Sequence, residues 1–176
     1  MALWVFGYGS LLWNPGFRPA ERRLAVLKDY HRSFCMLSIH HRGSVAEPGL
    51  VLALDAQKGA QCTGLALRVS EGDEDAVMAM LRERELISSA YFEDTVTLED
   101  HAGDRFDSVA YIIDPHHEQY VHFDLEKQAQ MIARAVGGRG PNTDYLFSTA
   151  EQLQELGIKD VDIEWLVTRV RELSVR

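Results

Sequence analysis

The sequence predicts an α+β fold, mainly an antiparallel β-barrel with packed helices and a helical C-terminal part. Short apolar and β-branched runs separated by Gly- or Pro-containing turns fill the first two thirds of the chain. The regular helical crossovers that a parallel sheet requires are absent from that region, and apolar residues at helical spacing take over in the last third. Together these point to strands that meander and close on themselves, followed by helices.

The first strand is read over residues 3–6, where Trp4-Val5-Phe6 runs directly into Gly7-Tyr8-Gly9-Ser10-Leu11-Leu12-Trp13. This is an apolar strand ending in a glycine-hinged turn that exposes one serine and one tyrosine. Further strands are read over residues 24–27, 33–39, 50–54, 62–69, 94–98 and 108–113, and the polar stretch 99–107 as a hairpin loop. A helix interrupts them over residues 73–86. Val77, Met78 and Leu81 mark its apolar face, and Glu85, four residues beyond Leu81, lies on that face while Glu83 points away. Later, Leu125, Ala129, Ile132 and Val136 fall at helical spacing up to the glycine-rich break 137–140. Asn142 or Thr143 can then cap a helix carrying Leu146, Ala150 and Leu153 to a stop at Gly157. A last helix places Ile163, Leu166, Val167, Val170 and Leu173 on one face. These stripes read as core packing. With no repeat, low-complexity tract or linker, residues 1–176 are expected to form a single domain.

Composition excludes several function classes. A formal net charge of -9 argues against a nucleic-acid partner, because affinity for polyanions depends on basic surface. No apolar run approaches the roughly 20 residues that span a bilayer, and no secretory segment precedes Trp4. The expectation is a cytoplasmic protein without a membrane partner. Cys35 and Cys62 are too few to staple a domain of this size and read as buried thiols. The doublets His40-His41 and His116-His117 lack the spacing of a helical metal site, so no metal is expected. No cofactor is expected either, since the turn around Gly9 has neither the lysine of a Walker loop nor a second glycine at dinucleotide spacing.

The site residues can be read from their chemistry. Around Ser10, glycines allow positive φ and close approach, so successive amides can converge on an anionic group or a developing oxyanion. Ser10 is not read as a nucleophile, because Gly-Tyr-Gly-Ser lacks the Gly-x-Ser-x-Gly spacing of an esterase elbow. An inward carboxylate at a helix C-terminus is desolvated and faces the negative end of the helix dipole, and both effects raise its pKa. Glu85 is therefore either a proton shuttle or one half of an ion pair with Arg84, Arg82 or Arg42. Arg42, in the loop His40-His41-Arg42-Gly43-Ser44 after a strand, is a candidate for gripping a substrate carboxylate; the alternative is a surface cation balancing an acidic protein.

The stretch Phe6-Gly7-Tyr8-Gly9-Ser10-Leu11-Leu12-Trp13-Asn14-Pro15-Gly16-Phe17 resembles the substrate loop of γ-glutamylcyclotransferases, in particular the ChaC type that acts on glutathione. Further segments agree in order: His41-Arg42-Gly43-Ser44 with Pro48-Gly49, Arg84-Glu85 leading to Tyr91, Gly137-Gly138-Arg139-Gly140 into Asp144-Tyr145-Leu146, then Leu153 and Leu156-Gly157-Ile158. The resemblance implies a barrel of the γ-glutamylcyclotransferase type and cleavage of glutathione to 5-oxoproline and cysteinylglycine. It makes Glu85 the catalytic residue and the backbone of Tyr8, Gly9, Ser10 and Leu11 the cradle for the γ-glutamyl head. Tyr145 then supplies a hydroxyl to the substrate or to Glu85. One segment departs from the pattern: many relatives carry Gly-Gly-Tyr after the glutamate, whereas here Leu86-Ile87-Ser88-Ser89-Ala90 precedes Tyr91. That leaves cyclisation of other γ-glutamyl amino acids or γ-glutamylamines as an alternative within the enzyme class. A non-catalytic γ-glutamyl-binding module is the alternative outside it.

Overall fold

The structure is a computed structural model and describes residues 2–175. The chain divides into two compact units, one formed by residues up to Ser33 with Leu54–His117, the other by Phe34–Ala53 with the residues from Glu118 on.

Five strands close into a barrel: β1 (Trp4–Gly7), β2 (Glu21–Ser38), β3 (Gly49–Arg68), β4 (Tyr91–Asp100) and β5 (Arg105–Ile113), with the end of β2 and the start of β3 counted in the second unit. The barrel is as expected, but its order β1-β3-β2-β4-β5 is not that of a simple meander. β1 pairs antiparallel with β3, Val5 opposite Leu67 and Gly7 opposite Leu65, and its other edge meets β5 in parallel at Val5 and Val109. Alternation along β1 sorts its side chains. Trp4 and Phe6 enter the barrel core with Leu27, Leu54, Val96, Leu98 and Ile112, while Val5 joins the cluster that receives the helix α1 (Glu74–Glu85). Val77, Met78 and Leu81 anchor that helix against Val5, Leu11, Val69 and Tyr111.

The strands outrun the sequence expectation. The readings over 24–27 and 33–39 fall on one strand, β2, which ends at Ser38, because the charged run between them stays paired in the sheet despite Asp29 at φ +68°; Arg32 is 5% exposed and donates to the Tyr8 carbonyl at 2.8 Å and to the Thr63 carbonyl. Likewise 50–54 and 62–69 are one strand, β3, whose polar middle from Ala56 to Lys58 stands in solvent. Much of the stretch read as a loop over 99–107 is also strand, with the reversal confined to 101–104 and Gly103 at φ +85°.

In the second unit, α2 (Leu125–Arg134) is followed by a hairpin of β6 (Val136–Gly137) and β7 (Gly140–Pro141), then α3 (Asn142–Glu155) and α4 (Val161–Ser174). Two expectations fail here. Val136 does not extend the α2 stripe: Ala135 turns extended at ψ 138°, and Val136 is 60% exposed. Gly137 explains the turn, since a Cβ there would lie 2.4 Å from the His41 carbonyl carbon and 2.5 Å from the Arg42 nitrogen. Nor does Asn142 or Thr143 cap α3. Pro141 holds that position, and Asn142, fully buried, accepts from the Leu50 N–H and donates to the Leu50 carbonyl, both at 2.8 Å. An amide that satisfies one residue's backbone donor and acceptor is worth more there than at a cap. Gly157 does end α3's turn, at φ +73°.

Gly64 of β3 fixes where β1 ends. A Cβ at Gly64 would lie 2.5 Å from the Gly7 carbonyl oxygen and 2.7 Å from the Phe6 ring. Gly64→Ala should therefore cost about 1–3 kcal/mol by overpacking. Gly138→Ala, whose Cβ meets only the His40 carbonyl oxygen at 3.4 Å, should be nearly neutral. Urea unfolding of the two variants compares them directly, and equal midpoints would contradict the close approach.

Candidate active site

The turn after β1 is tight and mostly buried. Ser10–Leu12 form one 3-10 turn, closed by Leu12 N–H to Gly9 carbonyl at 2.9 Å and Trp13 N–H to Ser10 carbonyl at 3.2 Å. The amides of Ser10 and Leu11 open the turn and are not donors in those bonds. Gly9 reaches this shape at φ -138°, so its role is not the positive φ that a glycine hinge suggests. Tyr8 corrects another expectation. It is only 7% exposed, and its hydroxyl donates to the Tyr111 carbonyl at 2.9 Å, which pins the turn to β5. Leu11 is buried beneath α1, and Ser10 is half-buried.

Glu85 is the last residue of α1, with a side chain 15% exposed, while Glu83 stands in solvent. Of the ion-pair partners considered for Glu85, Arg84 is adjacent, its Nε 3.5 Å from the carboxylate. The same guanidinium donates to the Asn14 carbonyl at 2.6 Å and to Ser10 Oγ at 3.3 Å. Gly16, at φ +79°, lets the following loop lie against Met80 and Arg84. Arg82 instead grips Glu93 of β4 with two hydrogen bonds of 3.0 Å, and the Tyr111 hydroxyl donates to Glu93 at 3.0 Å. Burial pushes the Tyr111 phenol far above its usual range, with the Glu93 bond and the charges of Glu93 and Glu85 adding to it. The Arg82 bonds hold Glu93 below the ordinary carboxylate range against the opposing effect of burial, with help from Tyr111.

Arg42 and Tyr145 belong to the second unit. Arg42 is half-buried; its backbone N–H donates to Ser38 Oγ at 3.0 Å and its Nη1 to the Pro141 carbonyl at 3.2 Å. Its guanidinium stands 5.8 Å from the centre of the Tyr145 ring, within cation–π range. Tyr145 is 6% exposed, and its hydroxyl accepts from the Leu52 N–H at 3.1 Å. His41 beside Arg42 is held below the usual imidazole range by burial first, then by the charges of Arg139, His40 and Arg42.

The structure thus joins the turn at Tyr8 to Leu11 with Glu85 in one unit, and Arg42 with Tyr145 in the other. Sequence reading overlooked what Arg84, Tyr111 and Arg32 contribute. Only Arg84 left a signal, as the neighbour of Glu85; the others are defined by contacts to residues far along the chain. The departure after Glu85 also has a structural counterpart. Ser89, in the segment 86–90, adopts φ +56°, a conformation that glycine takes more easily.

The barrel and its appended helices are those of a γ-glutamyl cyclotransferase fold. A crystal structure of a glutathione-specific γ-glutamyl cyclotransferase from yeast superposes with a TM-score of 0.88 at 21% identity, covering 97% of this chain and 96% of that one. The family model for ChaC-like proteins matches residues 3–173, and the chain belongs to that family. The glutathione-specific γ-glutamylcyclotransferase of Escherichia coli K12 is 35% identical over 173 residues, 97% of this chain and 74% of the relative. Its namesake in Schizosaccharomyces pombe is 31% identical over 191 residues, 97% of this chain and 93% of the relative.

The Arg82–Glu93–Tyr111 arrangement makes a pH prediction. The folded pKa of Glu93 is depressed, so its stabilisation is present above the unfolded value of about 4.3 and is lost as pH falls through the folded value. Glu93→Gln should lower the urea midpoint at pH 7, and the gap to the wild type should narrow steadily below pH ~4. A gap that stays constant to pH 3 would show that the charge of Glu93 contributes nothing.

Proposed function

We propose that this protein is a glutathione-specific γ-glutamylcyclotransferase that releases 5-oxoproline and cysteinylglycine. The observation that carries the reading is the half-buried Glu85 at the end of α1, joined through Arg84 to the amide-bearing turn at Ser10, in a chain similar along nearly its whole length to enzymes of that name. The reaction needs few groups. The α-ammonium of the γ-glutamyl residue gives a proton to the Glu85 carboxylate, and the freed amine attacks its own γ-carbonyl carbon. A tetrahedral oxyanion forms, the bond to the cysteinyl nitrogen breaks as the Glu85 carboxylic acid returns the proton to that nitrogen, and the ring nitrogen releases its second proton to solvent, leaving the neutral lactam of 5-oxoproline and a cysteinylglycine amine that takes up a proton from solvent. Because nucleophile and carbonyl share one short chain, holding the folded conformer supplies much of the rate, up to about 7–11 kcal/mol in the best intramolecular cases. The amides of Ser10 and Leu11 are the proposed donors for the glutamyl head and the oxyanion.

Arg42 and Tyr145 are proposed as substrate contacts, Arg42 by bidentate grip of a carboxylate and Tyr145 through its hydroxyl. One family model running through both units supports treating residues 1–176 as a single functional domain. No helix among the described residues is long and apolar enough to cross a membrane. Cys35 and Cys62 are buried thiols outside any disulfide, which supports a reducing, cytoplasmic setting.

Glu85→Gln should lower turnover of reduced glutathione by about 10²–10⁴-fold with the fold intact, and Glu83→Gln should leave it near wild type. Mass spectrometry for 5-oxoproline and cysteinylglycine measures both, and equal losses in two folded variants would refute the assignment. Activity should also survive exhaustive chelation, because no step uses a metal. N-acetylglutathione should not react, since acylation removes the nucleophilic lone pair; release of cysteinylglycine from it at a comparable rate would point to plain hydrolysis.

A further inference from the structure

Arg84 uses all three guanidinium nitrogens in three directions. Nε lies 3.5 Å from Glu85 Oε1, Nη1 donates to the Asn14 carbonyl at 2.6 Å, and Nη2 donates to Ser10 Oγ at 3.3 Å. The side chain is 18% exposed and that of Glu85 15%, so the contact between the two is partly shielded from solvent screening. The partners are the carboxylate at the end of α1 and two points of the loop that follows β1. A rigid planar fork presents its donors to three such points in fixed directions, whereas an ammonium offers its three donors from one rotating point on a flexible stem. The loop packs to suit it: a Cβ at Gly16 would lie 3.4 Å from Arg84 Nη1 and 3.1 Å from Met80.

We propose that Arg84 is the positioning residue of this site, one guanidinium holding the Ser10 turn and the Glu85 carboxylate in a single register. The proposal rests on the reading of Glu85 as the proton-transferring group. It adds a second consequence, that the cation beside Glu85 favours its ionised, proton-accepting form. Tyr111, which feels the charge of Glu85, and the Glu93–Arg82 pair bound to it keep a constant charge across the working range. Tyr111 of β5 is held protonated far above neutrality, Glu93 of β4 is held ionised below it, and Arg82 remains cationic on Glu93. Removing the charge of Arg84 should therefore register on the acid limb of the pH profile, where Glu85 must be ionised to accept a proton.

The test is the pH profile of kcat/KM for reduced glutathione in wild type, Arg84→Lys, Arg84→Met and Glu85→Gln, with thermal unfolding of each. Arg84→Lys keeps the charge and loses the fork. It should leave the acid limb in place and lower kcat/KM by about tenfold or more, the scale of one or two lost charge-assisted hydrogen bonds. Arg84→Met loses both and should in addition move the acid limb upward by about one pH unit or more. The proposal is overturned if Arg84→Lys matches wild-type kcat/KM, or if folded Arg84→Met keeps its acid limb where the wild type has it. Should Arg84→Met not fold, the Arg84→Lys rate decides alone. Glu85→Gln separates the two readings: activity in that variant overturns the role of Glu85, whereas its inactivity beside a fully active Arg84→Lys overturns only the role of Arg84.

Discussion

β1 is four residues long, and the arrangement of the first unit depends on it. One edge is hydrogen-bonded to β3 and the other meets β5, so it closes the barrel. Its alternating side chains serve two clusters, Trp4 and Phe6 inside and Val5 beneath α1. Its last residue, Gly7, lies against Gly64 at a distance that admits no side chain on β3. A strand fixed on both edges and both faces cannot slide, and the turn at its end inherits that fixity. The same cluster that buries Val5 buries Val77, Met78 and Leu81 of α1, each worth on the order of 1.5–3 kcal/mol on burial. The helix end carrying Glu85 and the turn carrying Ser10 are thus supported by one apolar layer.

Polar groups inside both units serve the backbone. Arg32 is buried with its guanidinium on the carbonyls of Tyr8 and Thr63, one of which belongs to the turn. Asn142 occupies both hydrogen-bonding groups of Leu50, and the Tyr8 phenol binds the Tyr111 carbonyl. Removing any one of them would leave a buried carbonyl or amide exposed to a cost of about 1–3 kcal/mol. Cyclisation of a flexible chain gains from such rigidity, because the substrate's reacting atoms must be held within contact distance before a proton moves.

Charge around Glu85 is arranged in two steps. Arg82 is committed to Glu93 and Arg84 to Glu85 and the loop, so the two cations of the last turn of α1 go to different carboxylates. Both oppose the negative end of the helix dipole, and Arg82 also steadies Glu93, which in turn accepts a hydrogen bond from the Tyr111 hydroxyl. Tyr111, Glu93 and Arg82 therefore keep a fixed charge near neutral pH.

Much of this was legible in the sequence. Short apolar and β-branched runs between Gly- or Pro-containing turns marked the strands, 3.6-residue spacing turned Glu85 toward the apolar face and Glu83 away, and the glycine turn after Phe6 marked the loop through its residue types alone. These are local properties, set by backbone geometry within a few residues. What the sequence left open depends on partners distant along the chain. Arg32 lies between two strand readings, and the Tyr8 and Thr63 carbonyls that it satisfies lie 24 and 31 residues away. Asn142 looked like a cap because Leu50 lies 92 residues away. The barrel's strand order, the Arg84 fork across 70 and 74 residues and the Glu93–Tyr111 bond were likewise decided only by tertiary structure. A local pattern records which face a side chain presents; what it meets there is fixed by how distant segments pack.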